Sequence, residues 1–321
     1  MVQQPDRAPV LIHIGYHKTG TNWLQRHYFG DPRTGTKWVE KSGGDHPVRQ
    51  LVHARPLEFD AAASRVQFDP LLRGAEIEGL LPVVSYERLS GHPFSGGHDS
   101  KEIANRLKEV FPEAKVLIVI REQRSMILST YKQYVKAGGP LPVSRFIAPP
   151  RSTSRRVPWF DLRNFEYQHL LRYYHSLYGK DAVLALAFDQ FVRDPPGFAA
   201  AIGRFADRPL DDELLASLPY GARSNLALSA VDVAVRRRRN RLAERSEVHP
   251  APVIESRPLR RLTRAVLGAP VASLVPRRVA ERSEASLRRE VEELVGDRYR
   301  TSNRATAELT GIDLAGYGWT V

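Results

Sequence analysis

The chain has 321 residues, of which 42% are hydrophobic and 26% charged, a composition typical of a folded globular protein rather than a disordered one. Its 48 Lys and Arg residues exceed its 36 Asp and Glu residues, so the net charge is +12. This charge predicts an anionic partner without choosing between nucleic acid, an anionic membrane surface and an acidic small ligand. The absence of cysteine excludes disulfides, cysteine-ligated metal sites and a thiol nucleophile, and it is compatible with a reducing cytoplasm.

Four short apolar runs are typical of buried parallel strands. They are VLIHI at 10–14, LPVVSY at 81–86, KVLIVI at 115–120 and AVLALAF at 182–188. Amphipathic helical patterns lie between them, at 100–111 and 124–135. This alternation predicts an α/β fold, a doubly wound central parallel sheet flanked by helices. We expect a single domain over 1–321, with the α/β core at about 8–206 and a helical, arginine-rich C-terminal part at about 207–321.

The loop that follows the first predicted strand is suited to binding a phosphate. Gly15 is followed by Lys18, Thr19, Gly20 and Thr21, at the place where a helix begins and offers unpaired N–H groups. The order of residues fits neither the Walker A pattern nor the dinucleotide pattern G-x-G-x-x-G, because the lysine lies in the middle of the loop. A plain polar turn capped by Thr21 remains the alternative interpretation.

A second anion-binding pattern follows the third predicted strand. Arg121 comes directly after KVLIVI, and Ser129 lies eight positions later, about two turns along the following helix. An arginine at a strand end, with a hydroxyl on the next helix, can bind a phosphate separate from the one in the first loop. The two patterns together therefore predict a ligand that carries two phosphate-type groups.

These stretches together resemble the sulfotransferases that use 3′-phosphoadenosine 5′-phosphosulfate (PAPS). IGYHKTGTNWLQ resembles their 5′-phosphosulfate loop, and VLIVIREQRSMILSTYKQYVKAGG resembles their 3′-phosphate motif. Residues 188–206 and 302–319 are also similar to segments of the family, and the least similar parts are the middle loops and 245–285. Asn22 stands where family members usually have a second Thr, and Phe188 where some relatives have a tyrosine near the adenosine. The PAPS-binding residues that the resemblance implies are His17, Lys18, Thr19, Gly20, Thr21, Asn22, Arg121 and Ser129.

The resemblance implies transfer of a sulfuryl group from PAPS to an acceptor hydroxyl, with Lys18 placed to meet the charge on the leaving oxygen. Glu87, after the second predicted strand, is the expected general base, and His17 is its rival. We expect no metal, because PAPS has no triphosphate for Mg²⁺ to hold and the chain shows no compact carboxylate cluster. The expected acceptor is a small molecule, a glycan or a glycolipid.

Two other functions stay open at this point: a basic nucleotide-fold binding protein without catalysis, and a nucleotide-dependent kinase. No basic stripe is interleaved with aromatic residues, so we expect no nucleic-acid partner. The first ten residues lack the apolar core of a signal peptide, and no run of 18 apolar residues follows, so a cytoplasmic protein is expected. In RPLRRLTRAVLGAPVASLVPRR at 257–278, Arg260, Arg261 and Arg264 flank an apolar helix face. This pattern is compatible with a solvated basic helix that covers the core and equally with peripheral contact with an anionic membrane.

Overall fold

The computed structural model describes residues 9–39, 46–148, 159–222, 228–243, 245–246, 248–249, 253–254, 258, 261–262 and 275–321. Its strands are β1 (Leu11–His13), β2 (Thr36–Trp38), β3 (Leu81–Ser85), β4 (Lys115–Ile120) and β5 (Val183–Ala187). Its helices are α1 (Thr21–Trp23), α2 (Val48–His53), α3 (Ala61–Ile77), α4 (Ser100–Val110), α5 (Gln123–Lys136), α6 (Val143–Ile147), α7 (Gln168–Tyr178), α8 (Phe188–Arg193), α9 (Pro195–Phe205), α10 (Asp212–Ser217), α11 (Ala230–Ala243), α12 (Arg277–Val295) and α13 (Arg300–Thr310). A π-helical turn, Leu24–Tyr28, continues α1 directly.

The described residues form two compact units that are discontinuous along the chain. The first unit takes its residues from 1–122, 163–224 and 299–321, and the second from 123–162 and 225–298. The first unit therefore holds the whole sheet together with α13, and the second holds α5, α6, α11 and α12.

The first unit is built on a five-stranded parallel sheet in the order β2-β3-β1-β4-β5. Four of its strands are the predicted apolar runs, and their side chains are almost all buried, as a parallel sheet covered on both faces requires. The fifth strand, β2, was not predicted. The doubly wound α/β class that the sequence predicts is confirmed.

Helices cover both faces of this sheet. On one face, α1, its π-helical continuation and α9 bury Trp23, Leu24, Phe198 and Ile202 against alternate strand residues such as Leu117. On the other face, α3 and α7 contact the strands, and α4 packs against both helices. The amphipathic pattern predicted at 100–111 is confirmed, because the apolar residues of α4 are buried.

The order of the strands determines where a ligand is expected to bind. β1 lies in the middle of the sheet, with β3 on one side and β4 on the other, so the chain reverses its direction of winding between β1 and β4. In open parallel sheets, ligands bind at such a switch point, beyond the carboxyl ends of the strands. The loop after β1 and the residue after β4 both lie at this edge.

The second unit is helical in the residues described. Helix α5 contacts α11 and α12, and Lys132 of α5 forms an ion pair with Glu284 of α12 at 2.7 Å. Asn240 of α11 is fully buried and donates to the carbonyl oxygens of Val135 and Gly139 at 2.7 and 3.0 Å. Among the described residues of both units, no helix is both long and apolar enough to cross a membrane.

Candidate nucleotide site

The loop after β1 is a tight turn that uses two left-handed backbone positions. Lys18 has φ 69°, which is uncommon for a residue other than glycine, and Gly20 has φ 82°. Thr19 is buried and donates its hydroxyl proton to the carbonyl oxygen of Tyr16 at 2.6 Å, which closes the turn. The Thr19 side chain is thereby committed to the shape of the loop. Lys18 itself is exposed, at the tip of the turn.

Helix α1 starts immediately behind this turn. The carbonyl oxygen of Gly20 accepts from the backbone N–H groups of Trp23 and Leu24, at 2.9 and 3.0 Å, so the helical hydrogen bonding begins at Gly20. The first N–H groups of a helix have no partner within it and attract anions. Thr21 stands at this helix start with its hydroxyl buried and without a hydrogen-bond partner among the described residues. Asn22 follows it and is half-buried.

Arg121, directly after β4, reaches the β1 loop. Its Nη1 donates to the carbonyl oxygen of Lys18 at 2.9 Å, and its guanidinium lies 5.1 Å from the ring centroid of Phe188 at the start of α8. A Cβ on Gly20 would lie 3.2 Å from that same Phe188 ring, so the loop, the arginine and the ring are in mutual contact. Loops after β1, β4 and β5 thus meet at one edge of the sheet. Phe188 contributes an aromatic surface beside the guanidinium of Arg121.

Two buried tyrosines support the same edge from within. The hydroxyl of Tyr167 donates to the carbonyl oxygen of Arg121 at 2.7 Å, and its ring packs edge-on against Tyr16 at 4.9 Å. Burial raises the pKa of both tyrosines above their ordinary value, so both hydroxyls stay protonated. Neither residue was predicted, because no local pattern distinguishes them from other core aromatic residues.

His17 lies on the other side of Lys18 and is half-buried. Burial, with help from the nearby charges of Arg88, His92 and Lys18, lowers the pKa of His17 to about 3, against a smaller opposing effect of Asp99. The imidazole is therefore neutral at physiological pH, and the same lowering of its pKa makes it a weak proton acceptor. Arg88 forms an ion pair with Asp99 at 2.9 Å, which holds both side chains beside the loop.

Two further predicted site residues, Glu87 and Ser129, lie on other elements. Glu87 begins a short 3₁₀ helix, Glu87–Ser90, just beyond β3, and it is half-buried. Its carbonyl oxygen accepts from the Ser90 hydroxyl at 3.0 Å. Ser129 lies on α5, which belongs to the second unit. Its contact with a phosphate stays a prediction, as do the roles of the other site residues.

Residues 299–321 belong to the first unit and contact α8. Trp319 donates its ring N–H to the carboxylate of Asp189 on α8 at 3.1 Å, and Arg193 donates to the carbonyl oxygen of Gly316 at 2.6 Å. The structure describes only part of the arginine-rich stretch at 257–278. Arg260 and Arg264 lie outside the described residues, and Arg261 is exposed.

Among the residues that the structure describes, no group of three or more His, Asp or Glu side chains is arranged to hold a metal ion.

Comparison with known proteins agrees with the resemblance found in the sequence. Residues 99–212 match the model of the "Sulfotransferase family", a segment that contains Arg121, Ser129 and Phe188. This match confirms the sequence-based resemblance and supports sulfuryl transfer in general. No curated protein matches the chain at a significant level.

Three solved structures illustrate what the fold is similar to. A sulfotransferase from Alicyclobacillus acidocaldarius is 20% identical with a TM-score of 0.47, over 65% of this chain and 88% of that one. The sulfotransferase domain from the curacin biosynthetic pathway is 12% identical with a TM-score of 0.39, over 65% and 77%. Mouse sulfotransferase SULT7A1 complexed with PAP is 14% identical with a TM-score of 0.38, over 94% and 89%. TM-scores below 0.5 add nothing to the sequence match.

Proposed function

From the match of residues 99–212 to the sulfotransferase family, we propose that this protein transfers the sulfuryl group of PAPS to a hydroxyl of a carbohydrate or glycolipid acceptor. The observation that carries the proposal is the 2.9 Å hydrogen bond from Arg121 to the backbone of Lys18. It joins two motifs that are 103 positions apart in the chain. The resemblance assigns one of these motifs to the 5′-phosphosulfate and the other to the 3′-phosphate of a single nucleotide.

The residues present fit such a ligand. The turn at Lys18–Gly20 presents backbone N–H groups and a lysine, and the buried hydroxyl of Thr21 lacks a partner in the described part of the chain. We assign the 5′-phosphosulfate to this loop, with His17, Thr19 and Asn22 forming its walls. Arg121, with Ser129 as its predicted companion, is assigned to the 3′-phosphate, and Phe188 to the adenine ring.

Sulfuryl transfer is expected to proceed in line through a loose transition state, as phosphoryl transfer does, with negative charge growing on the bridging oxygen of the leaving group. Lys18 stands at the tip of the loop and is exposed. Its left-handed backbone conformation is strained, and the surrounding contacts of the loop hold it in place. We assign Lys18 to the stabilisation of that charge.

The acceptor hydroxyl must lose a proton, and Glu87 is the proposed general base. Its position at the end of β3 places it on the ligand side of the sheet. His17 is a second candidate because it adjoins Lys18, although its pKa, lowered to about 3, makes its neutral imidazole a weaker base than an ordinary histidine. Either residue would take the proton as the oxygen–sulfur bond forms.

Binding of 3′,5′-adenosine bisphosphate (PAP) and transfer of label from ³⁵S-PAPS to a panel of sugars and glycolipids test the proposal. We expect PAP to raise the melting temperature in metal-free buffer, and ATP to do so much less, because ATP has no 3′-phosphate for Arg121. Equal stabilisation by ATP would favour the kinase alternative. Binding of PAP without transfer to any acceptor would favour the non-catalytic binding protein.

Glu87→Gln and His17→Gln form a matched pair for the general base. Each keeps the size and polarity of the side chain, and each removes the proton acceptor in question. We expect the variant of the true base to keep PAP affinity while turnover falls on the order of 10²-fold or more. Wild-type turnover in Glu87→Gln would transfer the role to His17 or to another group.

Peripheral contact with an anionic membrane, through the basic stretch at 257–278, is part of the proposal for a glycolipid acceptor. Sedimentation with vesicles that contain an anionic lipid tests it. We expect salt-sensitive pelleting at low ionic strength, reduced when Arg260, Arg261 and Arg264 are replaced by Gln. Failure to pellet would make a soluble acceptor the better choice.

A further inference from the structure

A histidine that belongs to no predicted motif lies beneath the β1 loop. His13, the last residue of β1, is fully buried, and its Nδ1 lies 2.8 Å from the hydroxyl oxygen of Ser85 at the end of β3. Gln25, on the π-helical turn after α1, donates from Nε2 to the same hydroxyl oxygen at 3.1 Å and to the Ser85 carbonyl at 3.0 Å. A continuous hydrogen-bonded chain therefore runs from Gln25 through Ser85 to His13.

The hydrogen-bonding groups around Ser85 favour one tautomer of His13. The Ser85 hydroxyl oxygen accepts from Gln25, and within the described residues its single proton has only the Nδ1 of His13 as an acceptor. Nδ1 is then unprotonated and Nε2 carries the proton. Burial lowers the pKa of His13 to about 3, so the ring stays neutral and remains a donor at Nε2.

The Nε2–H group points at the foot of the loop. It is buried and has no hydrogen-bond partner among the described residues, and the same holds for the hydroxyl of Thr21. Both atoms lie next to Gly15. A Cβ on Gly15 would lie 2.4 Å from the His13 Nε2 and 3.1 Å from the Thr21 Oγ1. A side chain larger than that of glycine at position 15 would therefore collide with the His13 ring.

Burying two polar groups without hydrogen-bond partners lowers the stability of the fold. We expect the His13 Nε2–H and the Thr21 hydroxyl to gain partners when a ligand binds to the loop. An imidazole N–H can only donate a hydrogen bond, whereas a hydroxyl can accept hydrogen bonds and donate one through its own proton. If Thr21 accepts from His13, its own proton must point elsewhere. The remaining direction is towards the loop, where the N–H groups at the start of α1 would bind an anion under the proposed function.

Resting on the proposed function, we infer that His13 is a positioning residue for the 5′-phosphate end of the nucleotide. When the loop binds this group, the His13 Nε2–H donates to the Thr21 hydroxyl, and the hydroxyl donates to a phosphate oxygen. The hydrogen bonds from Gln25 through Ser85 and His13 to Thr21 thus hold the Thr21 hydroxyl in the orientation that binds the anion. No bond is made or broken in this step, and His13 itself does not touch the nucleotide.

A pair of substitutions at one position separates this role from simple packing. In His13→Gln the side-chain amide reaches the place of Nε2 and can still donate to Thr21, whereas in His13→Asn the amide reaches only the place of Nδ1. We expect calorimetric titration to show PAP affinity within about threefold of wild type for His13→Gln, and about tenfold weaker for His13→Asn, as the loss of one hydrogen bond implies. Equal affinities in the two variants would overturn the inference.

A double-mutant cycle with Thr21→Val tests whether the two residues act together. If His13 acts only through Thr21, the double variant His13→Asn/Thr21→Val binds PAP no more weakly than Thr21→Val alone. Losses that simply multiply would show that His13 acts independently of Thr21, and the inference would be wrong. If wild-type protein does not bind PAP, the proposed function fails and the inference fails with it. Wild-type binding with independent losses contradicts the inference alone.

The tautomer can be measured without any nucleotide. In ¹⁵N-histidine-labelled protein, the signals missing from His13→Gln identify His13. We expect a protonated Nε2 and an unprotonated Nδ1, unchanged from pH 5 to pH 8. On addition of PAP the Nε2–H resonance should shift and exchange more slowly with solvent. A proton on Nδ1 would overturn the inference, whatever the outcome of the binding experiments.

Discussion

Replacement of Arg121 by alanine separates two contributions that this side chain makes to nucleotide binding. One is internal: the guanidinium donates to the Lys18 carbonyl at 2.9 Å and lies 5.1 Å from the centroid of Phe188. The other is the direct contact with the 3′-phosphate that we propose. PAP and 5′-AMP differ only in that phosphate, so their affinities report on the two contributions separately.

The contacts allow the size of each effect to be worked out. A hydrogen bond from a charged donor contributes about 1.5 kcal/mol at its lower end, which we take because Arg121 is only half-buried. Loss of this loop contact should weaken binding of both nucleotides about tenfold. Loss of the phosphate contact should add a factor of about ten or more for PAP alone. We therefore expect Arg121→Ala to weaken PAP about 10²-fold and 5′-AMP about tenfold.

Calorimetric titration of both nucleotides into wild type and variant measures these ratios. Arg124→Ala is the matched control, because this arginine, three positions later in the sequence, also donates to a carbonyl, that of Gly296 at 3.0 Å, but belongs to the second unit and has no proposed phosphate contact. It should leave both affinities within about twofold. If Arg121→Ala weakens PAP and 5′-AMP by the same factor, Arg121 only braces the loop, and its assignment to the 3′-phosphate is wrong.

Three further predictions concern the loop, the second unit and the buried histidine. Gly20→Ala and Gly311→Ala each place alanine at a left-handed backbone position, φ 82° and 70°, and each should lower stability by about 1 kcal/mol. Only Gly20→Ala should weaken PAP binding, because its Cβ would press on Phe188. Equal PAP affinity of the two variants by titration would argue against this contact. Asn240→Ala removes two buried hydrogen bonds and should lower the free energy of unfolding by about 2 kcal/mol in urea denaturation, whereas an unchanged midpoint would mean that water replaces them. His13, with a pKa of about 3 when folded and 6.5 as the ordinary value, stays neutral while the unfolded chain takes up a proton, so stability is lost as the pH falls below 6.5. Between pH 7 and pH 5 this loss is about 2 kcal/mol, and His13→Gln should lack that part of the pH dependence; an identical pH dependence in the variant would contradict the buried neutral state.

The sequence is most informative where the parallel sheet determines the geometry. Lys18 and Arg121 could be predicted to meet because parallel strands place their carboxyl ends at one edge, and the structure joins them by a hydrogen bond. The four apolar strands were found because a strand buried on both faces is apolar throughout. β2 was missed because Thr36–Trp38 is only three residues long and carries a lysine, too little for a periodic signal.

Other features depend on contacts between distant parts of the chain. Nothing near His13 in the sequence indicates that Ser85, 72 positions away, would fix its tautomer. The support of Arg121 by Tyr167 is equally remote from any local pattern. The division into two units also runs across the chain order, with 123–162 grouped with 225–298. Local sequence patterns indicate the strands, the helices and the loops that follow them. Tertiary packing determines which buried polar groups come into contact.

The central claim is that the β1 loop and Arg121 form one site for a nucleotide with phosphates at both its 3′ and 5′ ends. Titration of wild-type protein with PAP, 5′-AMP and ATP in metal-free buffer tests it most directly. We predict a one-to-one complex with PAP that is at least tenfold tighter than the complexes with 5′-AMP and ATP. Binding of ATP or 5′-AMP as tight as that of PAP, or the absence of a PAP complex, would contradict the claim.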